Sequence, residues 1–251
     1  MKIKAYAKVN LFLKIVGYDG MYHQIKSRFM KVKDLYDEIE IVEAKKFNIV
    51  GDVNCVLRDN SVFKAYVELT KAYPEIKEWF IGKEIRIHKN IPEMAGLGGG
   101  SSDAGAFLRL VNKKSGLNLS TDKLIEIGKK VGSDVAFFIT DADVADVYGR
   151  GDIVIPRDEE AFDVDILTPP IECSTPKVYN AYHQHFFNPK DTDFDKKETK
   201  ELFNYSPYEL NDLLKPALMV YPDLYKYKDF GYLSGSGSSF FKEAKWLKKV
   251  T

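Results

Sequence analysis

The chain has 251 residues, of which 45% are hydrophobic and 13% aromatic, and its 37 basic residues balance its 37 acidic residues. This composition is typical of a folded globular protein and excludes a disordered or low-complexity chain. The absence of net charge excludes the global basic field that nucleic acid or an anionic membrane selects, so we expect neither as a partner. The length suits one elongated or two compact domains, and we favour two.

Cysteine usage and the N-terminal segment indicate where the protein works. Cys55 and Cys173 have no C-x-x-C spacing, and the sequence gives no specific support for a disulfide between them. Residues 1–16 lack the uninterrupted apolar core of a signal peptide, and no later stretch has membrane-spanning length. We expect a reduced, cytoplasmic protein.

The first sixteen residues predict a β-strand with one buried face, because apolar residues occupy the odd positions and lysine or asparagine most even ones. Side chains repeat every second residue along a strand. Lys8 and Asn10 therefore project from the same face, with Cα atoms about 6.5 to 7 Å apart. They could serve one site.

The rest of the chain mixes strand and helix patterns without a regular βαβ rhythm, which predicts an α+β fold. A boundary between two domains is expected near residues 145–160. The predicted strands are 38–42, 84–88, 144–155, 163–168 and 231–242, and the predicted helices are 60–73, one from 104 that ends before Gly116, 121–130, one after Thr175, and two short ones within 209–226.

The strongest functional signal is a glycine-rich loop between a predicted strand and a predicted helix. Such a loop can direct several backbone N–H groups inward, and the helix N-terminus adds roughly half a positive charge, so together they favour a phosphate chain. The serines at its end could donate hydroxyls or bind magnesium. The glycine-rich loop consists of Pro92, Glu93, Met94, Ala95, Gly96, Leu97, Gly98, Gly99, Gly100, Ser101 and Ser102.

The glycine-rich loop matches neither common phosphate signature. It has no Gly-Lys-Ser/Thr ending, and its spacing fails G-x-G-x-x-G at Ser101. A flexible surface linker is the alternative interpretation. The position directly between a strand and an amphipathic helix favours phosphate binding.

Asp134 is a candidate general base, and it lies between the helix-ending Gly132 and an apolar run. An aspartate there is more often the N-cap of a short buried helix. As a base it would accept the proton of an attacking hydroxyl, and Lys8 would stabilise the developing negative charge.

A second glycine loop, Leu233–Ser239, again precedes apolar residues. A tight turn between two strands explains it without any ligand. Two loops of small residues in one chain nevertheless raise the expectation that the second packs near the ligand of the first.

These motifs in this order resemble the superfamily of galactokinase, homoserine kinase, mevalonate kinase and phosphomevalonate kinase. More narrowly, the chain resembles the family of 4-diphosphocytidyl-2-C-methyl-D-erythritol kinases of the non-mevalonate isoprenoid pathway, and the resemblance spans nearly the whole chain. The motifs that carry it are Ala7-Lys8-Val9-Asn10-Leu11, Tyr22-His23, Pro92 to Ala104, Gly132-Ser133-Asp134-Val135, Ser174-Thr175 with Val178-Tyr179, Asn211-Asp212-Leu213 and Leu233 to Ser239.

The resemblance implies a two-domain α+β small-molecule kinase fold with the active site in the interdomain cleft. Residues 1–150 would form the ATP-binding domain and 151–251 the substrate-side domain. ATP and Mg²⁺ would be the cofactors, and the partner would be a small molecule with a cytidine diphosphate group that is phosphorylated on its 2-hydroxyl. The sequence assigns no metal ligand and no oligomeric state.

The resemblance also implies a role for each candidate residue. Asp134 would be the catalytic base and Lys8 its partner, while the glycine-rich loop would wrap the ATP phosphates. The expected substrate contacts are Asn10, His23 and Thr175, with Tyr22 and Tyr179 stacked on the cytosine ring.

Three positions depart from the family pattern. Met21 stands where glycine usually precedes Tyr-His, Met94 stands where a small residue is usual, and Gly105 stands where alanine is common. None of these changes removes a group that does chemistry. Met94 is expected to narrow the mouth of the glycine-rich loop, and Met21 to shift the cytosine pocket.

Competing interpretations are another kinase or a decarboxylase of the same superfamily, and a nucleotide-binding module without turnover. Lys8 and Asp134 argue against the module. Asp229-Phe230-Gly231 spells a protein-kinase motif but lacks its H-R-D partner, so we interpret it as coincidence. His183-x-His185 predicts part of an aromatic helix face rather than a metal site.

Overall fold

The alternating N-terminal segment forms β1, Lys2–Tyr18, which pairs antiparallel with the long strand β2, His23–Glu43. In the computed structural model, which describes residues 1–51 and 56–244, these two strands form the centre of a six-stranded sheet. β1 pairs with β2 along one edge of β2. The other edge pairs with β4, Lys83–His88, at one end and with β5, Val144–Gly149, at the other.

Two short strands complete the first sheet, and a second sheet lies later in the chain. β3, Asn48–Gly51, pairs parallel with β4, and β6, Ile153–Pro156, pairs antiparallel with β5. The second sheet has the order β7-β9-β8, from Val164–Leu167, Phe240–Glu243 and Tyr232–Leu233.

The helices are α1 Ser61–Ala72, α2 Ile76–Trp79, α3 Gly99–Ser115, α4 Thr121–Gly128, α5 Val135–Thr140, α6 Thr175–Ala181, α7 Pro207–Leu210 and α8 Leu214–Val220. Their ends follow local chemistry. The Asn60 side chain accepts the amides of Val62 and Phe63 at the start of α1, and Gly116 ends α3 with φ +79°. Among the described residues, no helix is long and apolar enough to cross a membrane.

Strands and helices in these positions confirm the predicted α+β class, and three differences lie in the first sheet. β2 begins at His23 rather than at residue 38, and β3 was not predicted. The single strand predicted over 144–155 is a hairpin of β5 and β6. Its turn contains Gly149 and Gly151, whose φ angles of +67° and +103° lie in the left-handed region that glycine adopts without steric cost.

The strand β1 is buried on both faces over residues 7–13, whereas the alternation predicted one buried face. The glycine-rich loop packs against β1, since the Lys8 backbone amide donates to the Leu97 carbonyl at 3.0 Å. Farther along β1, Leu13 and Ile15 pack in a core with Leu213. β1 therefore contacts both halves of the chain, and the boundary at residue 150 stays a prediction.

The departure at Gly105 has a packing explanation. A Cβ at this position of α3 would lie 2.7 Å from Cβ of Phe138 on α5, closer than real side chains approach. The close approach of the α5 backbone thus requires glycine at this position. The close contact between α3 and α5 places the N-terminus of α3 near Asp134, which directly precedes α5.

Candidate active site

A cleft of about 1030 Å³ runs between the glycine-rich loop, the middle and end of β1, and α6. It collects residues from both halves of the sequence. Of the candidate site residues, those lining it are Lys8, Asn10, Tyr22, His23, Pro92, Glu93, Met94, Ala95, Gly96, Leu97, Gly98, Gly99, Gly100, Ser101, Asp134, Thr175 and Tyr179.

Ser102 is the exception among the candidate residues. It is 1% exposed, and its hydroxyl donates to the Tyr6 carbonyl at 2.6 Å. This bond joins α3 to β1 and turns the hydroxyl away from the cleft. Ser101, one residue earlier, remains at the cleft surface.

Lys8 and Asp134 meet at the centre of the cleft, with Lys8 Nζ 3.5 Å from Asp134 Oδ2. Lys8 Nζ also donates to Asn10 Oδ1 at 2.6 Å and to the Gly96 carbonyl at 3.0 Å. Burial lowers the pKa of Lys8, and the Asp134 carboxylate opposes that shift. The lysine is a desolvated cation held by three oxygen acceptors, while the Asp134 side chain keeps 31% of its surface exposed.

The glycine-rich loop approaches the C-terminal half so closely that side chains are excluded. Gly96 has φ +77°, and a Cβ there would lie 2.2 Å from the Ser234 carbonyl oxygen. Gly98 has φ +74°, and a Cβ there would lie 3.1 Å from Lys8 Cε. α3 begins directly after Gly98. The first amides of a helix have no partner within it, so this end suits an anion.

Met94 occupies an unusual backbone position for its type. Its φ is +51°, which is uncommon for a residue with a side chain, and the side chain is 51% exposed beside the cleft. A positive φ favours glycine, because every other residue has a Cβ that is crowded there. Met21 is 73% exposed at the opposite rim.

The second glycine loop packs directly on the first. It connects β8 to β9, as the turn interpretation predicted, and Gly235 and Ser236 line the cleft. Ser234 Oγ donates to the Gly96 carbonyl at 2.9 Å and accepts the Asn10 amide at 3.3 Å. The buried Asn211 donates to the carbonyls of Leu233 and Gly235, each at 2.9 Å, and so fastens the loop in place.

The aromatic end of the cleft contains Tyr22, His23 and Tyr179. The rings of His23 and Tyr179 lie 5.4 Å apart at 40°. Burial and the neighbouring His183 lower the pKa of His23, so its imidazole is neutral at neutral pH. Tyr22 lies farther out, and the guanidinium carbon of Arg150 lies 4.4 Å from its ring centre.

Thr175 and Tyr179 lie one turn apart on α6, so both face the cleft. The Thr175 hydroxyl is 2.7 Å from that of Ser236. This contact joins the second glycine loop to the aromatic end. Burial raises the pKa of Tyr179, and the Asp134 charge adds to the increase, so Tyr179 keeps its hydroxyl proton.

Sequence reasoning missed a buried charge cluster below the glycine-rich loop. Lys89 pairs with Asp103 Oδ2 at 2.7 Å and also contacts Asp37. Burial raises the pKa of Asp103 to about 7, because desolvation and the Asp37 charge outweigh the attraction to Lys89. A signal did exist: Asp103 falls on the buried face of an amphipathic helix, where a charge requires a partner. Arg150, in the Gly-Arg-Gly turn, was also missed.

No group of three or more histidine, cysteine or carboxylate side chains close enough to hold a metal occurs in residues 1–51 and 56–244. His183 and His185 do not form one. His183 instead packs against the rings of Tyr18 and Phe187, at 4.8 and 4.9 Å, as the aromatic interpretation predicted.

Comparisons with known proteins agree with this geometry. Residues 60–142 match the family model described as the GHMP kinases N terminal domain. A 4-diphosphocytidyl-2-C-methyl-D-erythritol kinase of Sulfurimonas denitrificans is 43% identical, in an alignment that covers 96% of this chain and 97% of that protein. The chain belongs to the 4-diphosphocytidyl-2-C-methyl-D-erythritol kinase family. A member from Helicobacter pylori is 40% identical, with 95% of this chain and 93% of that protein covered.

Solved structures place the fold in the same family. A crystal structure of 4-(cytidine 5'-diphospho)-2C-methyl-D-erythritol kinase has a TM-score of 0.78 and 27% identity, and covers 98% of this chain and 90% of its own. A mevalonate kinase, with a TM-score of 0.61 and 15% identity, shares the fold over 98% of this chain and 91% of its own. The expected α+β kinase fold is thereby confirmed, while the division into two domains stays a prediction. As a member of the 4-diphosphocytidyl-2-C-methyl-D-erythritol kinase family, the chain is a small-molecule kinase.

Proposed function

We propose that this kinase transfers the γ-phosphoryl group of ATP to the 2-hydroxyl of 4-diphosphocytidyl-2-C-methyl-D-erythritol, in the cytoplasm, as a step of non-mevalonate isoprenoid biosynthesis. The observation that carries the proposal is the position of the Lys8 and Asp134 pair. It lies between a loop suited to phosphates and an aromatic pocket suited to a pyrimidine. The relatives' names supply the substrate.

The glycine-rich loop would form the end of the cleft that binds the ATP phosphates. Free amides at the start of α3 and the bare backbone of Gly98, Gly99 and Gly100 would surround the β- and γ-phosphates. Mg²⁺ would neutralise phosphate charge there, with the Ser101 hydroxyl as a nearby oxygen donor. Magnesium in phosphate sites usually takes one or two protein ligands and completes its coordination with phosphate and water.

The proton transfer follows from the two charged side chains. Asp134 would accept the hydroxyl proton as the oxygen attacks phosphorus, and its partial exposure keeps an oxygen open toward the cleft. Lys8 would hold the carboxylate in place and stabilise negative charge on the transferring group. Burial makes that stabilisation stronger than it would be in water.

Residues of α6 and the start of β2 would form the end of the cleft that binds the cytidyl substrate. Tyr179 and Tyr22 offer flat faces for a cytosine ring, and the neutral His23 offers one donor or acceptor to its edge. Asn10 and Thr175 line the same cleft as this pocket and Asp134. They would hold the erythritol part so that its 2-hydroxyl reaches the carboxylate.

The test is ADP release from the purified chain with MgATP and the cytidyl substrate, run beside homoserine, mevalonate and galactose. ADP formed only with the cytidyl substrate supports the proposal. Turnover of another alcohol would keep the kinase and overturn the substrate assignment. No ADP with any alcohol would favour a nucleotide-binding module without turnover.

A further inference from the structure

The histidine that contacts the aromatic pocket has a second histidine as its partner. His23 Nε2 lies 3.2 Å from His183 Nδ1, which is hydrogen-bond distance. His183 belongs to the π-helical turn Tyr182–Phe186 that follows α6. Single π turns within helices often occur at functional sites.

Neighbouring rings hold the pair in place. The Tyr18 ring lies 5.0 Å from that of His23 and 4.8 Å from that of His183. Phe187 packs on the outer side of His183, with ring centres 4.9 Å apart. His183 is fixed by aromatic contacts on two sides, although it lies at the exposed rim of the cleft.

A hydrogen bond between two imidazoles fixes which of the bonded nitrogens carries the proton. The uncharged His23 ring has one N–H donor and one bare nitrogen, so this bond decides which of its two nitrogens is the donor. The hydrogen bond made by one ring nitrogen decides the protonation of the other. With Nε2 of His23 engaged, Nδ1 is the nitrogen left for a ligand.

The surroundings of His23 favour its neutral form. Burial and His183 lower the pKa of His23, while the Asp19 carboxylate opposes them more weakly. Asp19 is occupied by the amides of Met21 and Tyr22. The other groups against His23 are the aromatic rings of Tyr18, Tyr179, Tyr182 and Phe187.

We propose that His183 is a positioning residue for His23, whose hydrogen bond holds one tautomer and one ring plane so that Nδ1 meets the edge of a pyrimidine base. The ligand in this inference rests on the proposed function. A pyrimidine edge presents donors and acceptors at fixed places, so an imidazole that changes tautomer would offer the wrong partner part of the time. His183 therefore contributes to selection of the cytidyl group without touching the reacting atoms.

The experiment compares three variants of the full chain. His183→Phe keeps the ring packing but removes the nitrogen, His183→Asn keeps a polar atom near the Nδ1 position, and His185→Phe is a control on the same turn. The measurements are KM for the cytidyl substrate, KM for ATP, kcat, and the imidazole nitrogen chemical shifts of His23 in the ligand-free chain.

We expect His183→Phe to raise KM for the cytidyl substrate about three- to tenfold, the value of one hydrogen bond, with kcat and KM for ATP unchanged. His183→Asn should restore KM to within about twofold of the parent. The His23 shifts should report one tautomer in the parent and a mixture in His183→Phe. His185→Phe should match the parent throughout.

The proposal is wrong if His23 keeps the same single tautomer in His183→Phe. An equal rise of both KM values would also overturn it, because that indicates a general structural role. If the parent does not turn over the cytidyl substrate, the proposed function fails instead. The nitrogen shifts in the ligand-free chain then still decide whether His183 positions His23.

Discussion

Lys8 Nζ lies 3.5 Å from Asp134 Oδ2, at the junction of the glycine-rich loop and the aromatic pocket. Asn10 and the Gly96 carbonyl occupy the other sides of the ammonium group. The lysine is therefore fixed by contacts within the protein, while the carboxylate keeps an open side. The open side of Asp134 suits a base that takes a proton from a ligand. The fixed position of Lys8 suits a cation that stabilises charge at one place.

Replacing the carboxylate should abolish turnover and leave nucleotide binding intact. Asp134→Asn is expected to lower kcat by a factor on the order of 10² to 10⁴, because the amide cannot accept the hydroxyl proton. ATP affinity, measured by calorimetry, should change little. Asp141→Asn at the other end of α5 is the matched control, since Asp141 pairs with Lys31 and Arg109 at the surface. Parent-like kcat in Asp134→Asn would exclude the base role.

The contact between the two glycine loops should be sensitive to a single methyl group. Gly96→Ala places a Cβ 2.2 Å from the Ser234 carbonyl oxygen, whereas the same change at Gly116, with a similar φ of +79°, meets nothing within 4 Å. Both variants carry the cost of a positive φ, about 1 kcal/mol. Gly96→Ala should lose roughly a further 1–3 kcal/mol of unfolding free energy and raise KM for ATP. Equal denaturation midpoints for the two variants would contradict the close approach.

The buried Asp103 predicts a pH-dependent stability. Its folded pKa of about 7 exceeds the ordinary value of 3.8, so the folded chain binds more protons than the unfolded chain between these values. The contribution of Asp103 to the free energy of unfolding therefore falls as pH rises from about 4 to about 7. Asp103→Asn removes this loss. The free energy of unfolding of the variant minus that of the parent should therefore be larger at pH 8 than at pH 5, by on the order of 2–3 kcal/mol.

Denaturant unfolding of both proteins at the two pH values checks this. Asp122→Asn, at an exposed position at the start of α4, is the control and should show no such trend. A stability difference between Asp103→Asn and the parent that is independent of pH would show that Asp103 is ionised throughout.

Asn211 should matter to both stability and turnover. Its amide group satisfies the carbonyls of Leu233 and Gly235, and Asn211→Ala leaves these buried acceptors without that donor. We expect a loss of about 2–3 kcal/mol in unfolding free energy and a fall in kcat/KM, because the second glycine loop borders Lys8. Asn90→Ala, which removes one exposed bond to Tyr36, should cost much less. Parent-like kcat/KM in Asn211→Ala would show that the second glycine loop does not contribute to catalysis.

Local sequence patterns predicted most helix and strand positions. The alternation of β1, the Asn60 cap and the stop at Gly116 each depend on neighbouring residues only, so the sequence carries them in full. The hairpin of β5 and β6 was missed although Gly149-Arg150-Gly151-Asp152 interrupts the apolar residues at its turn. The left-handed φ angles at the two glycines show the reversal of the chain.

The sequence likewise predicted only part of the candidate site. The glycine-rich loop, Lys8 and Asp134 were identified from motifs, and the structure brings them to one cleft. The sequence did not indicate that Ser102 turns away to bond the Tyr6 carbonyl. Adjacent serines look alike in a sequence, and only the rotation of α3 against β1 distinguishes them.

The sequence by itself determined the secondary structure near each motif and the kinase family, because turn glycines, caps and strand periodicity act over a few residues. Tertiary structure alone decided which distant groups meet: Lys89 with Asp103 and Asp37, Asn211 with the second glycine loop, and His183 with His23. Burial gives such pairs their strength, since desolvated charges and amides require partners. That burial exists only after the two halves of the chain have packed together.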